Sequence, residues 1–168
     1  AQAQASPPPT DLSLPLSLTI GRLEVGELHG LSGGQPLRGL DAELRLGAMR
    51  HAVRLRSLSW TDWRLSGELG LGGTGAMPLE VDLQAEGRRE ASSSGDGLLA
   101  GAGLVKLRAQ GPLQDFGLQL DVRWQPERGS AQSLRADVGV RPFAPWPVSK
   151  GRLDIDALEL AALWPGLP

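Results

Sequence analysis

The chain of 168 residues has no cysteine, which excludes disulfide staples, thiolate metal sites and a cysteine nucleophile. It has no tyrosine either, and aromatic residues make up only 4% of it. Histidine occurs twice, at His29 and His51. Neither sits in a spacing that resembles a metal triad, so both read as turn or surface residues. No apolar run reaches the roughly 18 residues that a membrane-crossing helix needs. An excess of charge of one sign is missing too: a formal net charge of -2 gives no electrostatic case for nucleic acid as a partner. No nucleophile–base constellation can be assembled, so no enzymatic activity and no cofactor are expected.

What the chain does have is glycine (23 residues), proline (13 residues) and leucine in a pattern of period two. Leu12, Leu14, Leu16, Leu18 and Ile20 alternate with Ser13, Pro15, Ser17 and Thr19. Side chains of a strand point alternately to its two faces, so this spacing predicts one apolar and one wet face. The alternation returns at Leu40–Leu46, Val53–Leu55, Trp63–Leu71, Met77–Ala85, Val105–Ala109, Phe116–Trp124, Leu134–Val140 and Leu153–Ile155. Almost no window has the 3.6-residue period of an amphipathic helix. The intervening residues are charged or polar, as in Asp41, Glu43 and Arg45 or Gln119, Asp121 and Arg123. Each strand is therefore wet on one face, unlike the continuously apolar strands of a sheet buried on both sides. The expected fold is all-β and antiparallel, with roughly ten amphipathic strands on the alternation count.

Local breaks refine this expectation. Around Ser57-Leu58 the parity slips by one residue, from Val53 and Leu55 to Leu58 and Trp60, which requires a bulge or a tight corner. Gly33-Gly34, Gly72-Gly73, Gly111-Pro112 and the stretch from Gln125 to Gly129 read as turns between strands. Residues 1–11 read as a flexible linker or cut end and residues 12–168 as one β unit, with a mobile loop over 88–97. Leu160, Leu163 and Trp164 lie at helical spacing before Pro165-Gly166, so one short helix of at most two turns is expected near the C-terminus. A strand, a short loop and a second alternating strand recur at Leu65–Ala85 and Leu107–Trp124, a weak internal repeat.

Sites of other kinds are poorly supported. Gly70–Gly75 is glycine-rich, but no Lys-Ser/Thr and no helix follow it, so a loose hairpin loop is expected rather than a phosphate cradle. Glu80/Asp82 and Asp154/Asp156 are i, i+2 pairs on the wet face of strands, where solvation suffices to explain them. Arg54/Arg56 and Arg88-Arg89 could meet anionic headgroups, yet acids are equally common and a solvated face accounts for them. The five tryptophans mostly continue an apolar register or adjoin proline, which favours core or rim packing over a sugar platform.

The apolar faces must be hidden from water, either by two sheets packed together, by a closed barrel, or by a sheet curled so that they line an interior. Leucine dominates these faces, while isoleucine occurs only at Ile20 and Ile155. Walls of leucine with few aromatic fillers suit a groove for flexible hydrocarbon, although a leucine-rich sandwich is physically allowed.

The run Leu58–Gly67 followed by Met77–Ala85 resembles a repeat of the TamB proteins, members of the AsmA-like group of the Gram-negative cell envelope. The Phe143-Ala144-Pro145-Trp146-Pro147 run and the ending from Leu158 to Pro168, with Leu163-Trp164-Pro165, resemble the same family more specifically. The resemblance covers most of the chain from about Leu12 onward. It implies a taco-shaped half-barrel of antiparallel strands with an apolar channel. It also implies a periplasmic segment of a longer chain anchored in the inner membrane. The implied activity is the conduction of phospholipid between inner and outer membranes, linked to outer-membrane protein assembly and secretion. The implied partners are phospholipid acyl chains, an outer-membrane barrel of the TamA type, and neighbouring β-repeats of the same chain. The chain departs from the family in being shorter and in showing no N-terminal membrane helix, so it is expected to be an internal fragment. On this reading the groove lining is Leu14, Leu16, Leu18, Ile20, Leu44, Leu46, Leu65, Leu69, Leu79, Val81, Leu83, Leu118, Leu120, Val122 and Val138. The competing expectation is a structural or interaction module, a sandwich or spacer serving outer-membrane assembly without carrying lipid.

Overall fold

A computed structural model describes residues 7–29, 36–89, 100–127 and 129–157. It contains nine strands: β1 (Leu18–Leu28), β2 (Leu37–Leu46), β3 (Arg50–Trp60), β4 (Trp63–Gly72), β5 (Pro78–Arg89), β6 (Gly101–Pro112), β7 (Phe116–Pro126), β8 (Gln132–Val140) and β9 (Val148–Asp156). They form one sheet in chain order, β1 through β9, with every neighbouring pair antiparallel. The sheet is open and at most slightly curved, and β1 and β9 are its two edges among the described residues. The fold is therefore all-β, as the alternation predicts, and no helix occurs among the described residues.

Short connections make a meander the direct solution, because antiparallel neighbours need only a hairpin turn. Thr61-Asp62 joins β3 to β4 as a two-residue turn, with Thr61 at a φ of 52°. Between β6 and β7 the Asp115 amide donates to the Pro112 carbonyl at 2.9 Å. The proline-rich segment from Pro142 to Pro147 joins β8 to β9 and is closed by the Arg141 amide donating to the Pro147 carbonyl at 2.7 Å.

The parity slip at Ser57-Leu58 is a bulge. Leu55 pairs with Gly67 and Leu58 with Leu65, so Arg56 and Ser57 together oppose Ser66. Absorbing the extra residue in the bulge keeps Leu55 and Leu58, three apart in sequence, on the same face. Gly67, across from the bulge, has a φ of +145°, and a Cβ there would lie 2.8 Å from the Leu83 Cα. Only glycine satisfies both demands. A second irregularity lies between Ile20 and Leu23 in β1, where Gly21 and Arg22 oppose Glu43.

Several local expectations differ from the structure. Gly111-Pro112 and Gln125-Pro126, read as turn residues, end β6 and β7. The alternation from Leu12 to Ile20 predicts a strand beginning near Leu12, but β1 begins at Leu18 and runs on to Leu28. Pro15 has no amide hydrogen for a ladder, and the Asp11 carboxylate accepts from the Ser13 amide at 2.6 Å, a local turn. The segment is held instead by the Leu12 amide donating to Gly73 O at 2.8 Å and by His51 Nε2 donating to Leu12 O at 2.7 Å. Gly70–Gly72, expected in a loose loop, belong to β4, with Gly70 and Gly72 buried. Arg88 and Arg89, expected in a mobile loop, end β5. The rest of that loop, the Gly33-Gly34 turn, and the short helix beyond Ala157 fall outside the described residues.

No second layer covers the sheet among the described residues, where the only substantial contacts are between adjacent strands. The buried hydrophobic residues are Ala42, Met77, Ala100 and Ala109, and no large side chain is fully buried. Leu69 in mid-sheet is 37% exposed and Leu153 on β9 is 58% exposed.

Candidate functional site

The strand registers gather the apolar residues into rows that run across the sheet. One row reads Ile20, Leu44, Val53, Leu69, Val81, Ala109, Leu118 and Val138, one residue from each of β1 to β8. A second row reads Leu23, Ala42, Leu55, Gly67, Leu83, Leu107, Leu120, Ala136 and Leu153, spanning all nine strands. A third joins Leu58, Leu65, Ala85, Val105, Val122, Leu134 and Ile155 from β3 to β9. Leu18 pairs with Leu46, and Leu71 with Leu79, at the other end of the strands. Antiparallel partners lie about 4.5–5.5 Å apart, so neighbours in each row touch side by side.

Thirteen of the fifteen residues proposed from sequence to line a groove therefore fall on one face: Leu18, Ile20, Leu44, Leu46, Leu65, Leu69, Leu79, Val81, Leu83, Leu118, Leu120, Val122 and Val138. Leu14 and Leu16 do not join them. They precede β1 in the turn-forming segment around Pro15, and Leu16 is 79% exposed.

One end of the face carries a feature that leucine counting misses. Trp60 pairs with Trp63, and across from Trp63 the row continues through Gly87, Gly103 and Trp124. The rings of Trp63 and Trp124 lie over the two glycines and stack, with centroids 6.4 Å apart and planes at 27°. A Cβ on Gly87 would sit 2.6 Å from Trp63 Cδ2, and one on Gly103 would sit 2.7 Å from Trp124 Cε3. The glycines thus make the floor on which two indoles from non-adjacent strands meet, and such aromatic pairs contribute about 0.5–1.5 kcal/mol beyond the area they bury. A recess of about 870 Å³ opens beside them, with Arg64, Glu86 and Arg123 also on its wall. The signal was present in the sequence as two glycines that interrupt an apolar register between tryptophans.

The opposite face is charged and internally neutralised. Its row Glu43, Arg54, Glu68, Asp82, Arg108, Gln119, Asp137 and Arg152 alternates in sign nearly throughout. Arg54 meets Glu68 at 3.1 Å, Arg108 meets Asp82 at 3.1 Å, and Arg135 meets Asp121 at 3.0 Å. The Arg56 guanidinium hydrogen-bonded to Glu43 holds that carboxyl below its usual range. Arg135 does the same to Asp121. Arg54 and Arg56, weighed above as contacts for anionic headgroups, thus have carboxylate partners. His29, at 3.2 Å from Glu27, is exposed beside β1, and His51 is taken up by Leu12.

The sheet thus presents a broad apolar surface on one side and a charged one on the other. No known family model matches the sequence, and neither a curated protein nor a solved structure is significantly similar to it.

Proposed function

We propose that the apolar face is a wall along which phospholipid acyl chains lie and move, with headgroups held at its rim in water. The observation that carries this reading is a set of rows rich in Leu, Val and Ile, broken only by alanine and glycine and up to nine strands wide, left without a covering layer among the described residues. Soluble proteins rarely leave contiguous apolar patches beyond several hundred Å², and larger ones mark surfaces that meet a partner or a lipid. The resemblance to TamB proteins supports the same reading. On that resemblance the segment would lie in the periplasm, within a longer chain anchored at the inner membrane. There it would conduct phospholipid towards the outer membrane and serve outer-membrane protein assembly beside a TamA-type barrel. No covalent step is involved, and specificity is low because contact with hydrocarbon is non-directional.

Photo-crosslinkers placed at Val81 and Leu120, which lie in mid-sheet on the apolar rows, test the proposal directly. Phospholipid adducts from both positions, with none from Asp82 on the charged face, are expected. Protein adducts alone from Val81 and Leu120 would reject it.

The second reading, a structural or interaction module, draws on the open edges β1 and β9. Unpaired edges invite continuation by neighbouring β-repeats or partner strands. Native mass spectrometry separates the two readings: bound phospholipid is expected only of the hydrocarbon wall.

A further inference from the structure

The two edges of the sheet are unlike each other, and β9 has a property that β1 lacks. Its wet-face residues are Lys150, Arg152, Asp154 and Asp156, two cations followed by two anions at two-residue spacing. Its other face carries Gly151, Leu153 and Ile155. When such a strand meets a copy of itself antiparallel with Leu153 opposite Leu153, Lys150 falls opposite Asp156 and Arg152 opposite Asp154. Both halves of the pair are then satisfied, and Gly151 opposes Ile155 on the apolar side. Moving the register by one step of the same parity sets Arg152 on Arg152 or Asp154 on Asp154. Shifts of the other parity set charged residues against apolar ones. One register alone matches every position.

The same pairing rule already operates on the inner side of this strand, where Arg152 faces Asp137 and Asp154 faces Arg135 of β8. Within β9 itself Arg152 reaches Asp154 at 2.9 Å, and both remain more than half exposed, so a further strand can exchange this pairing for one across the edge. A lysine on an edge strand ordinarily guards it, by setting an uncompensated charge against any incoming strand. Here each cation has an anion at the mirror position, so the guard fails against one partner, a second copy in this register. By contrast, the charged residues of β1 are Arg22, Glu24 and Glu27, one cation for two acids, and the irregularity at Gly21-Arg22 breaks its ladder.

We propose that β9 is a homotypic edge, through which two copies join antiparallel about a two-fold axis normal to the sheet. The axis keeps the apolar rows of both copies on the same side, so the second row would continue through Leu153 into its counterpart. The inference does not depend on what the apolar face binds.

Because the chain has no cysteine, single introduced thiols report the contact without background. Directly opposed residues of antiparallel strands lie about 4.5–5.5 Å apart at Cα, within the reach of a disulfide. Under copper-phenanthroline oxidation, Leu153→Cys is expected to give a covalent dimer. Lys150→Cys alone is expected to give none, since its two copies would lie roughly 20 Å apart along the ladder. Mixed with Asp156→Cys it should crosslink efficiently. Sedimentation of the unsubstituted protein should show a concentration-dependent dimer that Arg152→Asp weakens at least about tenfold, because like charges then face each other. A monomeric Leu153→Cys protein, or Lys150→Cys crosslinking alone as well as in the mixture, would overturn the proposal. The cysteine readings retain the Arg152 and Asp154 charges, so they decide the matter even if Arg152→Asp fails to fold.

Discussion

On the charged face of the sheet, Arg54–Glu68 and Arg108–Asp82 close into ion pairs across neighbouring strands. One residue further along those strands, Leu69, Val81 and Ala109 lie side by side with no layer above them among the described residues. The two faces share every backbone hydrogen bond, yet they differ in what they leave unfinished. Exposed ion pairs contribute only about 0–1 kcal/mol each, so the charged face settles solubility and register more than stability. The apolar face carries stabilisation of about 25 cal/mol for each Å² taken out of water, and part of its area stays wet. A face that is complete in itself has no need of a partner; a face that is incomplete defines what the molecule can bind.

The strongest way to break the distinction is to delete Arg108 from β6, which pairs without a bulge on both sides. Val105 and Leu107 would keep their face while Ala109 turns to the charged one, and loss of cooperative unfolding is expected in chemical denaturation. A pair of substitutions sharpens the comparison at one point in the sheet. Val81→Arg should lower phospholipid capture by at least about tenfold, since it sets a charge among hydrocarbon. Asp82→Arg, its neighbour on the other face, should leave capture unchanged in the same vesicle-extraction assay.

Smaller effects follow at the end of the face and on its reverse. Gly103→Val would drive Trp63 and Trp124 apart, and a cost of about 1–3 kcal/mol is expected from overpacking, read by denaturation together with a changed tryptophan fluorescence. Arg135→Ala, which removes the partner of Asp121, should cost less than about 1 kcal/mol. The smallest effect is that of pH. Glu43 and Asp121 are held below their ordinary values of 4.5 and 3.8 in the fold, so their contribution is present above those values. It is lost as pH falls through the lowered folded values, and both groups keep partial contact with water, so the decline should be shallow. Denaturation midpoints near neutrality and at about pH 3 measure it, and Arg56→Ala should remove the Glu43 share.

Much of this was legible from residue spacing. The alternation located the strands from Leu40 onward, and the shift from Leu55 to Leu58 located the bulge, because each is written in consecutive residues. The segment from Leu12 to Ser17 misled for an equally local reason: its period is right, but Pro15 cannot donate to a ladder and the Asp11–Ser13 turn competes with it. The continuation of β1 to Leu28 was missed because the irregularity at Gly21-Arg22 breaks the alternation that would have revealed it. The stacking of Trp63 on Trp124 needed the register of four strands, since 61 positions of sequence separate rings only 6.4 Å apart.

By itself the sequence determined that the chain makes strands with one apolar and one charged face, since side-chain direction in a strand repeats every two residues whatever the strand pairs with. It also set where those strands bend, because a bulge is one residue out of step. Only the tertiary structure decided that the strands pair in chain order into a single open sheet rather than folding onto one another. Sandwich, barrel and open sheet bury the same alternating pattern, and the choice among them rests on pairings between residues far apart in the chain.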